Sequence, residues 1–222
     1  MEPVIVCFGE SMMRLNPEGY LKLIQASKFI IGFAGAESNV AVSLANYGLK
    51  ARYVTKLPNN DIGKLCINDL RKYGVDTTYI LKGGERIGID YVEKGASQRS
   101  SKVIYDRKYS SVSMAEPGEY DWDKIFANAS WFHFTGITPA LSPKTAEAVL
   151  DACKSAKKLN ILISCDLNYR NKLWSKLDAS NVMSGLMKYV DLCICNEEDA
   201  NEVFNINAPD TDVTKGKISK EG

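Results

Sequence analysis

The sequence predicts an α/β fold, and three observations carry that expectation. Short apolar runs, such as VIVCFG at residues 4–9 and ILISC at residues 161–165, alternate with stretches of helical spacing. Residues 31–48, IGFAGAESNVAVSLANYG, lead through a small-residue turn flanked by Gly32 and Gly35 into a helical pattern closed by Gly48, in which Val40/Leu44 and Ala41/Ala45 stand four apart. The 222 residues, 45% hydrophobic and 25% charged, suit one such domain or one domain with a small addition.

Composition narrows the function classes. A net charge of +1 gives no broad electrostatic attraction to nucleic acid or to an anionic membrane, so neither is an expected partner. No long uncharged apolar run matches a bilayer span and the N-terminus lacks a signal-peptide pattern, so a cytoplasmic location is the expectation. Most of the six cysteines lie in apolar runs and none forms a CxxC pair, which predicts reduced core thiols and not zinc.

Taken in order, residues 4–9 read as a buried strand, with Glu10, Ser11 and Arg14 beyond its C-terminal end, where open parallel sheets bind ligands. Arg14 reads better as a surface arginine than as a ligand contact. Residues 28–33 are extended and feed the glycine turn. The helix behind it presents free N–H groups at its start, so the turn is either an amide-lined site for a polar ligand or a tight strand-to-helix connection. Residues 51–57 read as a strand, and Ile62, Leu65, Cys66, Leu70 and Tyr73 as a helix stopped by Gly74.

Residues 83–113 break this rhythm. Ile89, Tyr91 and Glu93 alternate, a polar loop follows at residues 95–101, and Val103, Tyr105 and Arg107 alternate again. The pattern predicts a hairpin standing off the main sheet as a lid, with Tyr105 and Arg107 on one side. Either two tyrosines and the guanidinium face the glycine turn, or the tyrosines pack the hairpin's apolar face and Arg107 is solvated.

From Tyr120 the α/β rhythm returns. Residues 131–135 form a strand carrying His133, the only histidine, expected as a hydrogen-bonded core residue. Ser142-Pro143 opens a helix with a stripe at Ala146, Val149, Leu150, Cys153 and Ala156, and Asn160 stops it. Residues 161–165 form a buried strand whose tip crowds Asp166, Asn168, Tyr169 and Arg170. Unpaired, such groups lose solvation, so the cluster reads as a site, with an Asp166–Arg170 pair as the structural alternative. A helix over Val182, Leu186 and Met187 precedes a strand at residues 190–195, tipped by Asn196, Glu197, Glu198 and Asp199. These acids either hold a Mg²⁺ hydration shell beside nucleotide phosphates or form the acidic first turn of a helix running to Phe204. Residues 207–222 read as a polar loop.

FGESMMRL, GAESNVAVSLANYGL, the Tyr91/Tyr105/Arg107 hairpin, TGITPALSP, DLNYRNKLW and CNEED occur in this order, and together they resemble the ribokinase-like (PfkB) sugar kinases, in particular those acting on keto-deoxy sugar acids. The resemblance covers nearly the whole chain. It implies a ribokinase-like three-layer sandwich spanning residues 1–222 as the N-terminal portion of such a fold, truncated on its C-terminal side, with lid strands around 15–33 and 79–113. It further implies ATP-dependent phosphorylation of 2-dehydro-3-deoxygluconate, with ATP and Mg²⁺ as cofactors and a homodimer formed through the lid.

Carried over residue by residue, the resemblance gives Gly35, Ala36, Glu37, Ser38, Asn39, Tyr91, Tyr105, Arg107, Ile137 and Arg170 as sugar contacts. Asn168, Tyr169, Arg170 and Asn196 lie toward the nucleotide, and Glu197 and Asp199 near the metal's water shell. Arg107 and Arg170 can bind the carboxylate that distinguishes a sugar acid from a neutral sugar. Gly9-Glu10 replaces the Asn-x-Asp arrangement by which ribokinase grips ribose. Ala34 replaces one glycine of a common pair, Asp199 stands where the N-x-x-E motif has glutamate, and the family's Gly-Ala-Gly-Asp catalytic segment has no match up to Gly222. No catalytic residue is therefore expected within this chain, which by itself would be inactive. A fructokinase-like enzyme and a non-catalytic sugar-acid-binding fragment are the competing readings.

Overall fold

The computed structural model describes residues 3–207. Strand β1 (Val4–Phe8) leads into β2 (Met12–Pro17), a 3₁₀ turn at Leu23–Gln25 and β3 (Phe29–Ala34), followed by helix α1 (Ala36–Asn46). Then come β4 (Lys50–Val54), the short β5 (Lys56–Leu57), α2 (Asp61–Arg71), β6 (Leu81–Lys82), β7 (Ile89–Glu93) and β8 (Lys102–Asp106). Helix α3 (Trp122–Ile125), β9 (Ala129–Thr135), α4 (Ile137–Ala140), α5 (Pro143–Lys158), β10 (Leu162–Asp166), α6 (Lys176–Met187), β11 (Leu192–Ile194) and α7 (Glu197–Phe204) complete it. The polar stretch expected at residues 207–222 lies outside the described residues from residue 208 onward.

The central sheet has the order β11-β10-β9-β1-β4, and every neighbouring pair in it is parallel. Alternation along β1 and β4 divides the core between its two faces. Cys7, Ala51 and Tyr53 turn toward Ala41 of α1 and Cys66, Ile67 and Leu70 of α2. Val6, Phe8 and Val54 turn the other way, toward Trp122 of α3, Ala152 and Ala156 of α5 and Met183 of α6. The result is the helix–sheet–helix sandwich that the sequence predicts. Phe8, Phe132 and Phe134 are fully buried, and side chains of this size contribute about 1.5–3 kcal/mol each. Phe8 meets Tyr120 and Trp122 edge-on at 5.0 and 5.2 Å between ring centroids.

The local signals are largely those read from sequence. Gly48 (φ +82°) and Gly74 (φ +83°) follow α1 and α2 in the left-handed region, and Asn160 (φ +58°) follows α5. Asn60 caps α2 by accepting from the Gly63 amide, and Ser142 caps α5 by accepting from Thr145. His133 is buried, with Nδ1 2.9 Å from Ser164 Oγ, as a core histidine should be. Cys7, Cys66, Cys153 and Cys165 are buried free thiols, whereas Cys193 and Cys195 are exposed on and just after the edge strand β11. The sequence run 51–57 is split in the structure, because β5 leaves the central sheet to pair with β6.

A second sheet, ordered β3-β2-β7-β8, is assembled from the expected hairpin together with β2 and β3. Gly32 lies within β3, opposite Arg14, and is not part of the turn. Gly35 caps α1 in extended backbone (φ −169°), so its constraint is steric: a Cβ there would come within 2.0 Å of the Glu10 carbonyl oxygen. The backbone that approaches this glycine is therefore the protein's own.

Two outcomes follow from this packing. Gly35→Ala should destabilise the chain by about 1–3 kcal/mol, read as a lowered Tm, because the Glu10 carbonyl has to move. Burial lowers the His133 pKa from 6.5 to about 4. Its contribution to stability is therefore complete above the unfolded value, near pH 6.5, and is lost as pH falls toward 4. That span corresponds to about 3 kcal/mol, and denaturant melts of wild type and His133→Gln at pH 7 and pH 4 should differ by that much in pH dependence.

Candidate active site

The C-terminal ends of β1 and β9, the start of α1 and one face of the second sheet enclose a cavity of about 760 Å³, within the range of small-molecule sites. Period two decides which side chains of the second sheet enter it. Met12 and Arg14 of β2, Ala34 of β3, Asp90 of β7, and Val103, Tyr105 and Arg107 along and just after β8 all share that face. Asp90 stands directly opposite Tyr105 in the register. Tyr91, one residue on, therefore belongs to the other face, where its ring meets Phe29 at 6.2 Å between centroids. The expected sugar contact by Tyr91 is corrected: it does not line the cavity, and the reason is strand parity.

From α1 the cavity receives Gly35, Ala36, Glu37 and Asn39. No side chain caps this helix at Gly35. Ser38 does not line the cavity; it is buried and its hydroxyl donates to the Gly35 carbonyl at 3.1 Å. Glu37 is 1% exposed. Its Oε1 accepts from the Thr135 amide (3.0 Å), the Thr135 hydroxyl (2.8 Å) and the Thr138 hydroxyl (2.6 Å). Burial raises its carboxyl pKa against the opposing pull of those hydrogen bonds. The Thr135 hydroxyl also accepts from the amide of Ile137, the cavity residue at the start of α4.

The far wall comes from the segment after β10: Asn168, Arg170, Asn171, Lys172 and Leu173. Asn168 holds a left-handed backbone (φ +41°), a conformation asparagine tolerates better than most residues. Arg170 donates to the Tyr169 carbonyl at 3.0 Å and is in no ion pair among the described residues. The Asp166–Arg170 pair considered from sequence is thus not made. Burial raises the Asp166 and Asp199 carboxyl pKa values, and the charge of Arg170 offsets part of that rise. Tyr169 packs against the core and does not line the cavity.

At the tip of β11 the helix-start alternative is the one observed. Asn196 caps α7, its Oδ1 accepting from the Asp199 amide at 2.7 Å, and Glu197, Glu198 and Asp199 form the acidic first turn. Asn196, Glu197 and Asp199 do not line the cavity. Asp199 is buried. Among the described residues there is no group of three His, Cys, Asp or Glu able to hold a metal ion.

Sequence reasoning missed several cavity residues. Arg14, expected on the surface, donates through Nε (3.0 Å) and Nη2 (2.5 Å) to Asp90, which is fully buried. Glu10 is buried and takes both Nε (2.7 Å) and Nη2 of Arg107 on one oxygen. Five cationic side chains, Arg14, Arg107, Lys108, Arg170 and Lys172, thus line the cavity against three carboxylates, Glu10, Glu37 and Asp90. Each carboxylate is already engaged by the protein. Arg170, Lys108 and Lys172 are in no ion pair among the described residues, so the cavity suits an anionic, hydroxyl-bearing ligand.

The sequence profile of the pfkB family carbohydrate kinases matches residues 3–221. A 2-dehydro-3-deoxygalactonokinase of Haloferax volcanii is 36% identical over 207 residues, covering 93% of this chain and 65% of the relative. A 2-dehydro-3-deoxygluconokinase of Bacillus subtilis is 34% identical over 170 residues, 76% of this chain and 52% of the relative. The solved structure of a 2-dehydro-3-deoxygluconokinase from Thermotoga maritima superposes with a TM-score of 0.92 at 48% identity, covering 94% of this chain and 64% of that one. An uncharacterized sugar kinase of Pyrococcus horikoshii, solved in complex with ATP, gives 0.79 at 26% identity, with 91% and 66% covered. The chain thus spans less than two thirds of the length of these relatives. No helix among the described residues is long and apolar enough to cross a membrane. With the profile matched from end to end of the described fold, this chain belongs to the pfkB family of carbohydrate kinases.

Proposed function

We propose that the chain carries the sugar-binding portion of a kinase that phosphorylates a keto-deoxy sugar acid, 2-dehydro-3-deoxygluconate, with ATP. The observation that carries this reading is the surplus of cations in the cavity. A sugar carboxylate gains from Arg170 and from the distal edge of Arg107, and its hydroxyls from the polar groups around Gly35 and Asn39. The relatives named for keto-deoxy sugar acids at 34–48% identity support the same substrate class. A neutral sugar leaves the surplus charge unanswered, which ranks the fructokinase-like reading second.

In this proposal the second sheet is a lid and the cavity is its sugar site. ATP approaches from the side of Asn168, Asn171 and Lys172, whose amides and ammonium suit phosphate oxygens. Mg²⁺ is proposed only as the nucleotide's counter-ion, beside the exposed Glu197. The bound metal would neutralise charge on the phosphoryl oxygens. Within the cavity Asp90 and Glu37 are held by protein donors and Glu10 is ion-paired to Arg107 through Oε2, so none is offered as the base that takes a proton from a sugar hydroxyl. The catalytic base is accordingly assigned to no residue described here. A homodimer through the second sheet, on which Ile30, Ile31 and Ile104 stand exposed, and a cytoplasmic location belong to the same reading.

Isothermal titration of the chain with 2-keto-3-deoxygluconate and its C4 epimer tests the substrate class. Heat of binding with either acid, and none with fructose, is the expected result. Arg170→Ala should weaken acid binding by about 1.5–3 kcal/mol, roughly 10- to 150-fold. Folded wild-type chain that takes up neither acid would remove the reading.

A further inference from the structure

Resting on the sugar-acid reading above, we infer that Glu10 is a positioning residue that gives the cavity its preference for a carboxylate by aiming Arg107. Arg107 follows β8, on the second sheet, and Glu10 follows β1, on the central sheet, 97 residues away in sequence. Nε and Nη2 of Arg107 converge on Glu10 Oε2, the Nε contact measuring 2.7 Å. Side-chain exposure is 2% for Glu10 and 12% for Arg107. A guanidinium held along its Nε–Nη2 edge has one orientation left, and Nη1 makes no hydrogen bond among the described residues. The Nη1–Nη2 edge of this cavity-lining arginine is thus the fork available to a planar carboxylate.

The pair is built tightly and depends on a neighbour. Glu10 Oε1 is buried without a partner and lies against Gly88, where a Cβ would approach it to 2.8 Å and Arg107 Cβ to 3.2 Å. A Cβ at position 88 therefore displaces the Glu10 carboxylate and also crowds Met12, to 3.1 Å, and Arg107. Because Glu10 fixes the arginine before the ligand arrives, the ordering cost of a long flexible side chain is not charged to binding. Selectivity for acid over neutral ligand then resides in the Glu10–Arg107–Gly88 arrangement as much as in Arg107 itself.

The test compares two ligands that differ only in charge, 2-keto-3-deoxygluconate and its carboxamide, by titration calorimetry on the whole chain. Wild type should bind the acid at least tenfold more tightly than the amide. Glu10→Ala should lose most of that ratio, with amide affinity changed less than about twofold, and Glu10→Gln, which keeps one acceptor for Arg107, should retain part of it. Gly88→Ala should lower the ratio in the same direction and serves as the second variant if Glu10→Ala does not fold, as judged by near-UV circular dichroism. A purely structural role for Glu10 would weaken both ligands alike. An unchanged ratio in the folded variants overturns the proposal, as does tighter acid binding when Glu10 is removed, which would make Glu10 a competitor of the ligand. Wild type with no preference for the acid instead removes the sugar-acid reading itself.

Discussion

The Glu37 carboxylate accepts hydrogen bonds from the Thr135 amide and from the hydroxyls of Thr135 and Thr138 while almost wholly withdrawn from water, and that junction places the floor of the cavity. It joins the first turn of α1 to the end of β9 and the start of α4, which lie about a hundred residues further along the chain. Gly9 makes the passage possible, since a Cβ there would fall 2.1 Å from Glu37 Oε2. A buried carboxylate left with fewer partners is costly, so the fold is committed to keeping all three elements in register. Gly35, which presses on the Glu10 carbonyl, and Ile137, whose amide donates to Thr135, are fixed as a consequence.

Above this floor, two ion pairs organise the rest. Arg14–Asp90 ties neighbouring strands of the second sheet, and Arg107–Glu10 ties that sheet to the central one. Each pair neutralises one cation with one buried carboxylate. The cations left over, Arg170, Lys108 and Lys172, are what give the cavity its sign. The acids are held by protein donors and the bases face the ligand, an arrangement that serves to hold an anion.

Much of the fold was legible because its signals are local. Helix ends at Gly48, Gly74 and Asn160 and the cap at Ser142 need only neighbouring residues to take effect. The site was legible in part. Arg107, Tyr105, Gly35, Asn39, Ile137, Asn168 and Arg170 converge on the cavity. Tyr91 was misassigned because alternation gives the spacing of a strand's two faces but not which face a neighbouring strand shares; that depends on the Asp90–Tyr105 register. Asn196 and Asp199, expected from the resemblance near the nucleotide and the metal's water shell, stand outside the cavity at the start of α7, where the Asp199 amide donates to Asn196. Ser38 was lost for a similar reason, its hydroxyl being turned back onto the Gly35 carbonyl.

By itself the sequence determined the alternation of strands and helices, the glycine turn before α1, the hairpin that interrupts the α/β order and the family to which these belong. Those are properties of short windows, set by backbone conformation, hydrophobic period and capping. The tertiary structure alone decided which charges meet. Glu10 and Arg107 are 97 residues apart, Arg14 and Asp90 are 76, and Glu37 and Thr138 are 101. Whether an arginine is free for a ligand or held by a buried acid depends on separations of a few ångströms between distant segments, and no local pattern encodes them.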